Sequence, residues 1–200
     1  MTRSHTCAAL LAVVLLTSPA TVAGQWMLAA GIRAPRFSGG AVEPATGRSL
    51  RPYRPTMFEI GLERIGRRAG VGVWLHYASS SLALEGNDGL AAVKNALTVY
   101  GAEPHVSFRL AHVGADGVLR LSSGPLLEVW TLPDAGSRTR LGVAAAMELE
   151  LTLGGRWAGI ARVGAAVTPS SPFKRADLDP ALEPRALWRR EVAASVRYRL

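Results

Sequence analysis

Apolar and polar residues alternate with a period of two in eight stretches of this chain, and the connections between the stretches are alternately long and short. A period of two sends successive side chains to opposite sides of an extended backbone, so each stretch reads as a β-strand with one apolar and one polar face. The last is the clearest: Val192, Ala194, Val196, Tyr198 and Leu200 share one face, and Glu191, Ser195, Arg197 and Arg199 the other. Leu141, Val143, Ala145, Met147, Leu149 and Leu151 likewise alternate with Arg140, Gly142, Ala144, Ala146, Glu148 and Glu150. Strands joined this way, with every long loop at one end, describe an all-β, eight-stranded antiparallel up-and-down barrel.

The remaining strands are predicted over Trp26 to Arg33, Met57 to Glu63, Val71 to Tyr77, Leu97 to Leu110, Val118 to Trp130 and Trp157 to Thr168. Tight turns are expected at Gly66 to Gly70, His112 to Gly117 and Gly154-Gly155. Long connections are expected over Ala34 to Pro55, Ala78 to Val93, around Pro133-Asp134-Ala135-Gly136, and over Pro169 to Leu187. Asn87-Asp88-Gly89 is a turn signal within the second, and Asp88 capping a short helix with Leu90, Val93 and Leu97 on one side is the alternative there. Pro104 interrupts the fourth strand and predicts a bulge, because proline donates nothing to a ladder. Ile160 breaks the alternation of the seventh.

The first residues read as an export signal. Arg3 supplies a positive n-region, Ala8 to Leu16 an apolar run shorter than the ~20 residues of a membrane span, and Ala20 to Ala23 a small-residue cleavage pattern. The expected division is a cleaved signal over 1–23 and one barrel domain over 24–200. The only cysteine, Cys7, falls in the signal, so no disulfide is expected in the domain. Losing Arg3 lowers the formal net charge from +8 to +7. The basic residues are scattered and carry no nucleic-acid-binding motif, so an anionic membrane surface is the more fitting partner. No metal-ligand cluster and no phosphate-cradling glycine motif stands in the sequence, and no cofactor is expected.

Alternation alone leaves two barrels of opposite polarity. A soluble, lipocalin-like barrel would turn the Leu/Val/Ala face inward around a ligand; a membrane barrel would turn it toward lipid. The polar face mixes Glu and Arg with many Gly and Ala, as a cramped lumen requires. Trp26, Trp157 and Tyr198 near the short-turn end, with Tyr77 near the other, read as two aromatic girdles. These features favour the membrane barrel.

With its export signal, loop asymmetry and terminal Val196-Arg197-Tyr198-Arg199-Leu200, the mature chain resembles the small eight-stranded outer-membrane barrels of the OmpA/OmpX type over essentially its whole length. The resemblance implies an outer-membrane location, a monomer, and insertion by the barrel-assembly machinery, which reads an aromatic third from the end and usually a final phenylalanine. Tyr198 matches and Leu200 departs. Small outer-membrane barrels also include lipid A deacylases, to which His105-Val106-Ser107 and His76-Tyr77-Ala78-Ser79 invite comparison. Neither segment has that family's His-x-Ser-Asn, and no carboxylate is placed to orient the imidazole.

If the polar face is internal, Glu59, Glu63, Glu103, Glu128, Glu148 and Glu150 share a confined lumen with Arg33, Arg109, Arg120, Arg140, Arg162 and Arg197, and must pair there. The presumptive outer loops carry Arg36, Arg48, Arg51 and Arg54, and then Lys174, Arg175, Arg185, Arg189 and Arg190. Arginines there would face the phosphates of outer-membrane lipids and lipopolysaccharide. The expected function is a non-enzymatic integral barrel with a structural, surface-interaction or minor-transport role.

Overall fold

The structure, a computed structural model, describes residues 24–86, 89–132 and 136–200. The expected signal over 1–23, Asn87-Asp88 of the turn signal and Pro133-Asp134-Ala135 lie outside the described residues. Within them the chain forms strands β1 (Gln25–Val42), β2 (Ser49–Tyr53), β3 (Met57–Ile65), β4 (Ala69–Gly86), β5 (Gly89–Val113), β6 (Gly117–Leu132), β7 (Gly136–Gly154), β8 (Trp157–Thr168) and β9 (Glu183–Arg199). Each pairs antiparallel with its neighbours, and β9 returns to pair with β1 from Met27↔Arg199 to Val42↔Glu183. Closure leaves no free sheet edge in the lower barrel; above Val143↔Val167 the β8 side of β7 has no ladder partner.

The ring has eight strands because β2 and β3 together occupy one place between β1 and β4. β3 pairs Gln25↔Ile65 to Arg33↔Met57, and β2 pairs Ala41↔Leu50 and Val42↔Ser49. The interruption falls at Arg54, whose φ of 43° is left-handed, and Pro55, which has no N–H to donate.

The first two of the four long connections are mostly ladder. β1 continues nine residues past Arg33 to Val42, and the first hairpin closes in a turn where the Glu43 N–H donates to the Arg48 carbonyl at 2.8 Å. β4 runs to Gly86 and β5 starts at Gly89, pairing Ala83↔Ala92 and Leu84↔Ala91, so Leu90, Val93 and Leu97 lie on a strand, not a helix. β6 and β7 pair out to Leu132↔Gly136. The last connection, 169–182, crosses the mouth as a loop, with one 3-10 turn at Arg175–Asp177.

The strand extensions look like loops in sequence because their polarity is inverted. Lower in the barrel Ile32 faces out, 52% exposed, and Arg33 faces in, 0% exposed. Higher on the same strand Phe37 faces in and Ser38 out. β5 changes from Tyr100 out and Glu103 in to Val99 and Leu97 in, and β6 from Glu128 in to Trp130 in. The interior of the extensions is one apolar core: Phe37, Ala41, Met57, Ala78, Leu97, Val99, Trp130 and Leu187, roofed by Phe173 and Leu182 of the last connection. Such segments are built like a small soluble barrel on top of a membrane one.

Pro104 does not make a bulge. Ala102↔Leu127 and Val106↔Ser123 share one register, which sets Pro104 opposite Pro125; with no N–H on either, the β5–β6 ladder opens for three residues and resumes in phase. Gly124 lets the strands close there, since a Cβ would meet the Pro104 carbonyl oxygen at 2.0 Å. Against β6 the register of β5 shifts instead between Arg109 and Ala111. Ile160 follows the geometry of its strand and points inward, packed with Ala29 and Trp74.

Outside, an apolar band girdles the lower barrel through Leu28, Ile32, Phe58, Ile60, Leu75, Phe108, Val143, Val163, Val192 and Val196. The rings of Trp157 and Tyr198 meet at a tilt, 4.7 Å apart, below it, and those of Tyr77 and Tyr100, 5.1 Å apart, near its top. From Trp26 to Arg36 on β1, about ten residues at ~3.3 Å and ~40° tilt rise ~25 Å, the height of a transmembrane apolar band. The apolar face is thus outside, which overturns the lipocalin-like alternative.

Candidate functional site

The polar faces of the lower strands converge on a lumen filled by one continuous chain of opposite charges. At its outer end Arg189 contacts Glu128 at 2.6 Å, Glu191 at 2.9 Å, and Glu103. Arg33 joins Glu103 at 2.6 Å and Glu191 at 3.1 Å to Glu59 at 2.7 Å. Arg162 bridges Glu59 and, at 4.0 Å, Glu148, with its guanidinium 4.5 Å from the ring of Trp74. Arg197 links Glu148 at 3.7 Å, Glu150 at 2.5 Å, and Glu63. Arg120 ends the chain 3.5 Å from Glu150.

Neutral donors complete several carboxylates. Ser195 Oγ donates to Glu59 at 2.7 Å, Ser122 Oγ to Glu148 at 3.2 Å, and the Trp130 indole N–H to Glu128 at 3.0 Å. His76 lies 3.7 Å from Glu103 and 3.6 Å from Glu128, and His105 3.5 Å from Glu63. Such sharing is what makes burial of both signs tolerable: the members of the chain have opposite partners, and several carboxylates also accept from N–H or O–H groups.

The structure therefore brings Glu59, Glu63, Glu103, Arg120, Glu128, Glu148, Glu150, Arg162 and Arg197 into one network with Arg33. Arg140 is also buried, 1% exposed, and faces Glu128 across the ladder, but the oxygens of Glu128 are taken by Arg189 and Trp130. Arg109 is a correction: the β5 bulge holds it half-buried at the short-turn mouth, with Nη1 3.3 Å from His112 Nε2, outside the network. Arg189 is the member that reading by loops missed. It belongs to an inward series, Leu187, Arg189, Glu191, Ala193, visible once β9 is extended backward through the supposed loop.

The basic residues assigned to loops divide. Arg36 is on β1 and faces outward. Arg51 donates to the Phe37 carbonyl at 2.7 Å and pairs with Glu85; Arg175 donates to the Pro180 carbonyl at 2.7 Å and to that of Leu182. These two are staples of the outer mouth, as is Arg138, which donates to the Phe173 carbonyl. Arg48 and Thr46 hydrogen-bond Glu43 in the first turn and hold its carboxyl below the ordinary carboxylate range. Arg54 stacks over Tyr53 at 5.1 Å, and Lys174 leads into the 3-10 turn.

His105 and Ser107 share the inward face of β5, but the imidazole sets Nε2 toward Glu63 and Nδ1 3.3 Å from the Glu103 carbonyl, leaving neither nitrogen for the hydroxyl. His76 lies between Glu103 and Glu128 in the same way. Both histidines are packing members of the lumen.

No protein-family model matches the sequence, and no curated protein matches it either. Solved structures do. Neisserial surface protein A superposes with a TM-score of 0.63 at 9% identity, covering 88% of this chain and 97% of that one. The outer-membrane protein AlkL, determined in DMPC bilayers, gives 0.53 at 10% identity, with 88% and 90% covered. At such identities what is shared is the fold, and it is that of the small outer-membrane β-barrels, in agreement with the resemblance to the OmpA/OmpX type.

Proposed function

We propose that the chain is an integral outer-membrane protein whose barrel is closed along its axis and serves as a structural and surface-contact element, with neither catalysis nor steady conduction. The supporting observation is the filling of the barrel: an unbroken series of ion pairs from Arg120 to Arg189, surmounted by the apolar core around Trp130 and Phe173. An ion entering that path must part buried pairs, at about 3–5 kcal/mol for each partner removed, and then cross the apolar core packed above them. Eight strands leave a bore that side chains already fill. In planar lipid bilayers the purified protein is expected to give no steady current; a stable open-channel conductance refutes the reading.

The proposal includes export with cleavage after Ala23, insertion by the barrel-assembly machinery as a monomer, and a lipid environment that includes lipopolysaccharide. Mass spectrometry of the protein from cell envelopes should give a chain beginning at Gly24, and the folded species should migrate faster than the heated one in detergent gels. Retention of Met1 to Ala23, or recovery in the soluble fraction, counts against it.

A further inference from the structure

The apolar band is uneven. On β3 to β5 it is built from Phe58, Ile60, Leu62, Leu75, Tyr100 and Phe108, whereas β1, β7, β8 and β9 present Ala34, Ala145, Ala165 and Ala194 at middle and upper heights. The shortfall makes a shallow outer groove of about 610 Å³, lined by Ala34, Leu121, Ala145, Met147, Val163 and Val192 and closed at its upper end by Arg36 and Arg190.

Arg36 and Arg190 are direct cross-strand partners, both exposed on the outer face. Like charges set opposite one another in a ladder repel. Arg36 donates only to the adjacent Pro35 carbonyl, at 3.1 Å, and among the described residues no carboxylate pairs with either guanidinium. They stand at the top of the ~25 Å band, with Trp188 and Ser38 as the next outward pair above.

We infer that this face binds a phosphorylated lipid of the outer leaflet, its phosphate held between Arg36 and Arg190 and an acyl chain lying in the groove below. The charge calls for an anion at interface height. The planar fork of arginine matches phosphate oxygens two at a time, and the apolar lining of the groove suits a chain descending from that anion. A second copy of the chain is disfavoured as occupant, because self-association across a two-fold axis would bring two more arginines to the same place. The inference rests on the outer-membrane reading and names one partner within it.

The test uses the folded protein in detergent micelles with bisphosphorylated lipid A as probe, read by native mass spectrometry. A one-to-one lipid adduct is expected, at least tenfold weaker with lipid A stripped of its phosphates and with the Arg36→Gln/Arg190→Gln variant. Ala165→Trp, which fills the upper groove beside Arg190, should weaken it also. Equal retention of phosphorylated and dephosphorylated lipid, or full retention by the double variant, overturns the proposal, as does a protein dimer in place of the adduct. Heat-modifiable mobility of each variant establishes that the barrel is intact, and bilayer conductance is measured separately, so failure of lipid capture and failure of the closed-barrel reading are told apart.

Discussion

Replacing Arg33 by leucine tests whether the lumen is held by charge pairing. Arg33 is wholly buried at the middle of the network and donates to Glu59 at 2.7 and 2.9 Å, to Glu103 at 2.6 and 3.3 Å, and to Glu191 at 3.3 Å. Without it Glu59 keeps Arg162 and Ser195, while Glu103 and Glu191 depend on Arg189 alone among the arginines. Removing one side of a buried pair costs about 3–5 kcal/mol, because the other side is left desolvated and undercompensated. With a urea slope of ~2 kcal/mol per molar, the unfolding midpoint in lipid vesicles should fall by ~2 M. The control is Arg36→Leu, three residues along the same strand and on the opposite face, where a charge near the interface matters by only ~0–1 kcal/mol. Adding Glu103→Met to Arg33→Leu removes the carboxylate left most exposed to the loss and should recover part of the stability. Tryptophan fluorescence during reversible urea titration supplies the readout. If Arg33→Leu lowers stability by less than ~1 kcal/mol, or no more than Arg36→Leu, the pairing does not hold the lumen and the argument fails.

Gly61→Val should destabilise by ~1–3 kcal/mol, since a Cβ there would come within 2.7 Å of the Trp74 ring, itself wedged against Arg162; an unchanged urea midpoint would mean Trp74 has room to move. Val196→Arg, at mid-height on the lipid face, should lose ~2–4 kcal/mol in bilayers. Spin labels at Val196 and Ala145 should be relaxed by lipid-soluble oxygen more than by aqueous reagents, and the reverse preference would invert the assigned faces. In the outer turn, hydrogen bonds from Arg48 and Thr46 depress the Glu43 carboxyl, so its contribution is complete above the unfolded value of ~4.3 and is lost as pH falls through the lower folded value. Amide shifts of Gly47, whose N–H donates to the Glu43 carbonyl, should follow that acid transition and become flat in Glu43→Gln; a midpoint at or above the ordinary value would contradict the hydrogen-bonded geometry.

Much of the barrel is legible in the sequence because strand alternation is local. Val192 to Leu200 and Leu141 to Leu151 carry their faces in their own spacing, and the tight turns between β3 and β4, β5 and β6, and β7 and β8 fall where glycine and short polar runs mark them. The same local rule assigns Glu59, Glu148, Arg162 and Arg197 to one side of the sheet, and with the cramped Gly/Ala composition of that side it makes the lumen charged. What pairing each charge finds is another matter. Arg33 and Glu191 are 158 positions apart in sequence and meet only because β9 closes on β1.

Tertiary structure alone decided where the barrel stops being a membrane object. A strand does not change which residues point inward as it leaves the bilayer, but its surroundings change from lipid to water, so Phe37 and Trp130 take the inward places that Arg33 and Glu128 hold below. Read locally, that reversal has the look of a pattern ending, and the segments beyond it resemble loops. Arg189 is hidden from a local reading for the same reason, and Arg109 alternates as a lumen residue would because a bulge, set by the register of β6 against β5, carries no signal in its own neighbourhood. Local periodicity specifies that a chain will alternate; the medium on each side of the closed wall specifies which phase is buried, and that medium exists for a residue only after the ring has closed.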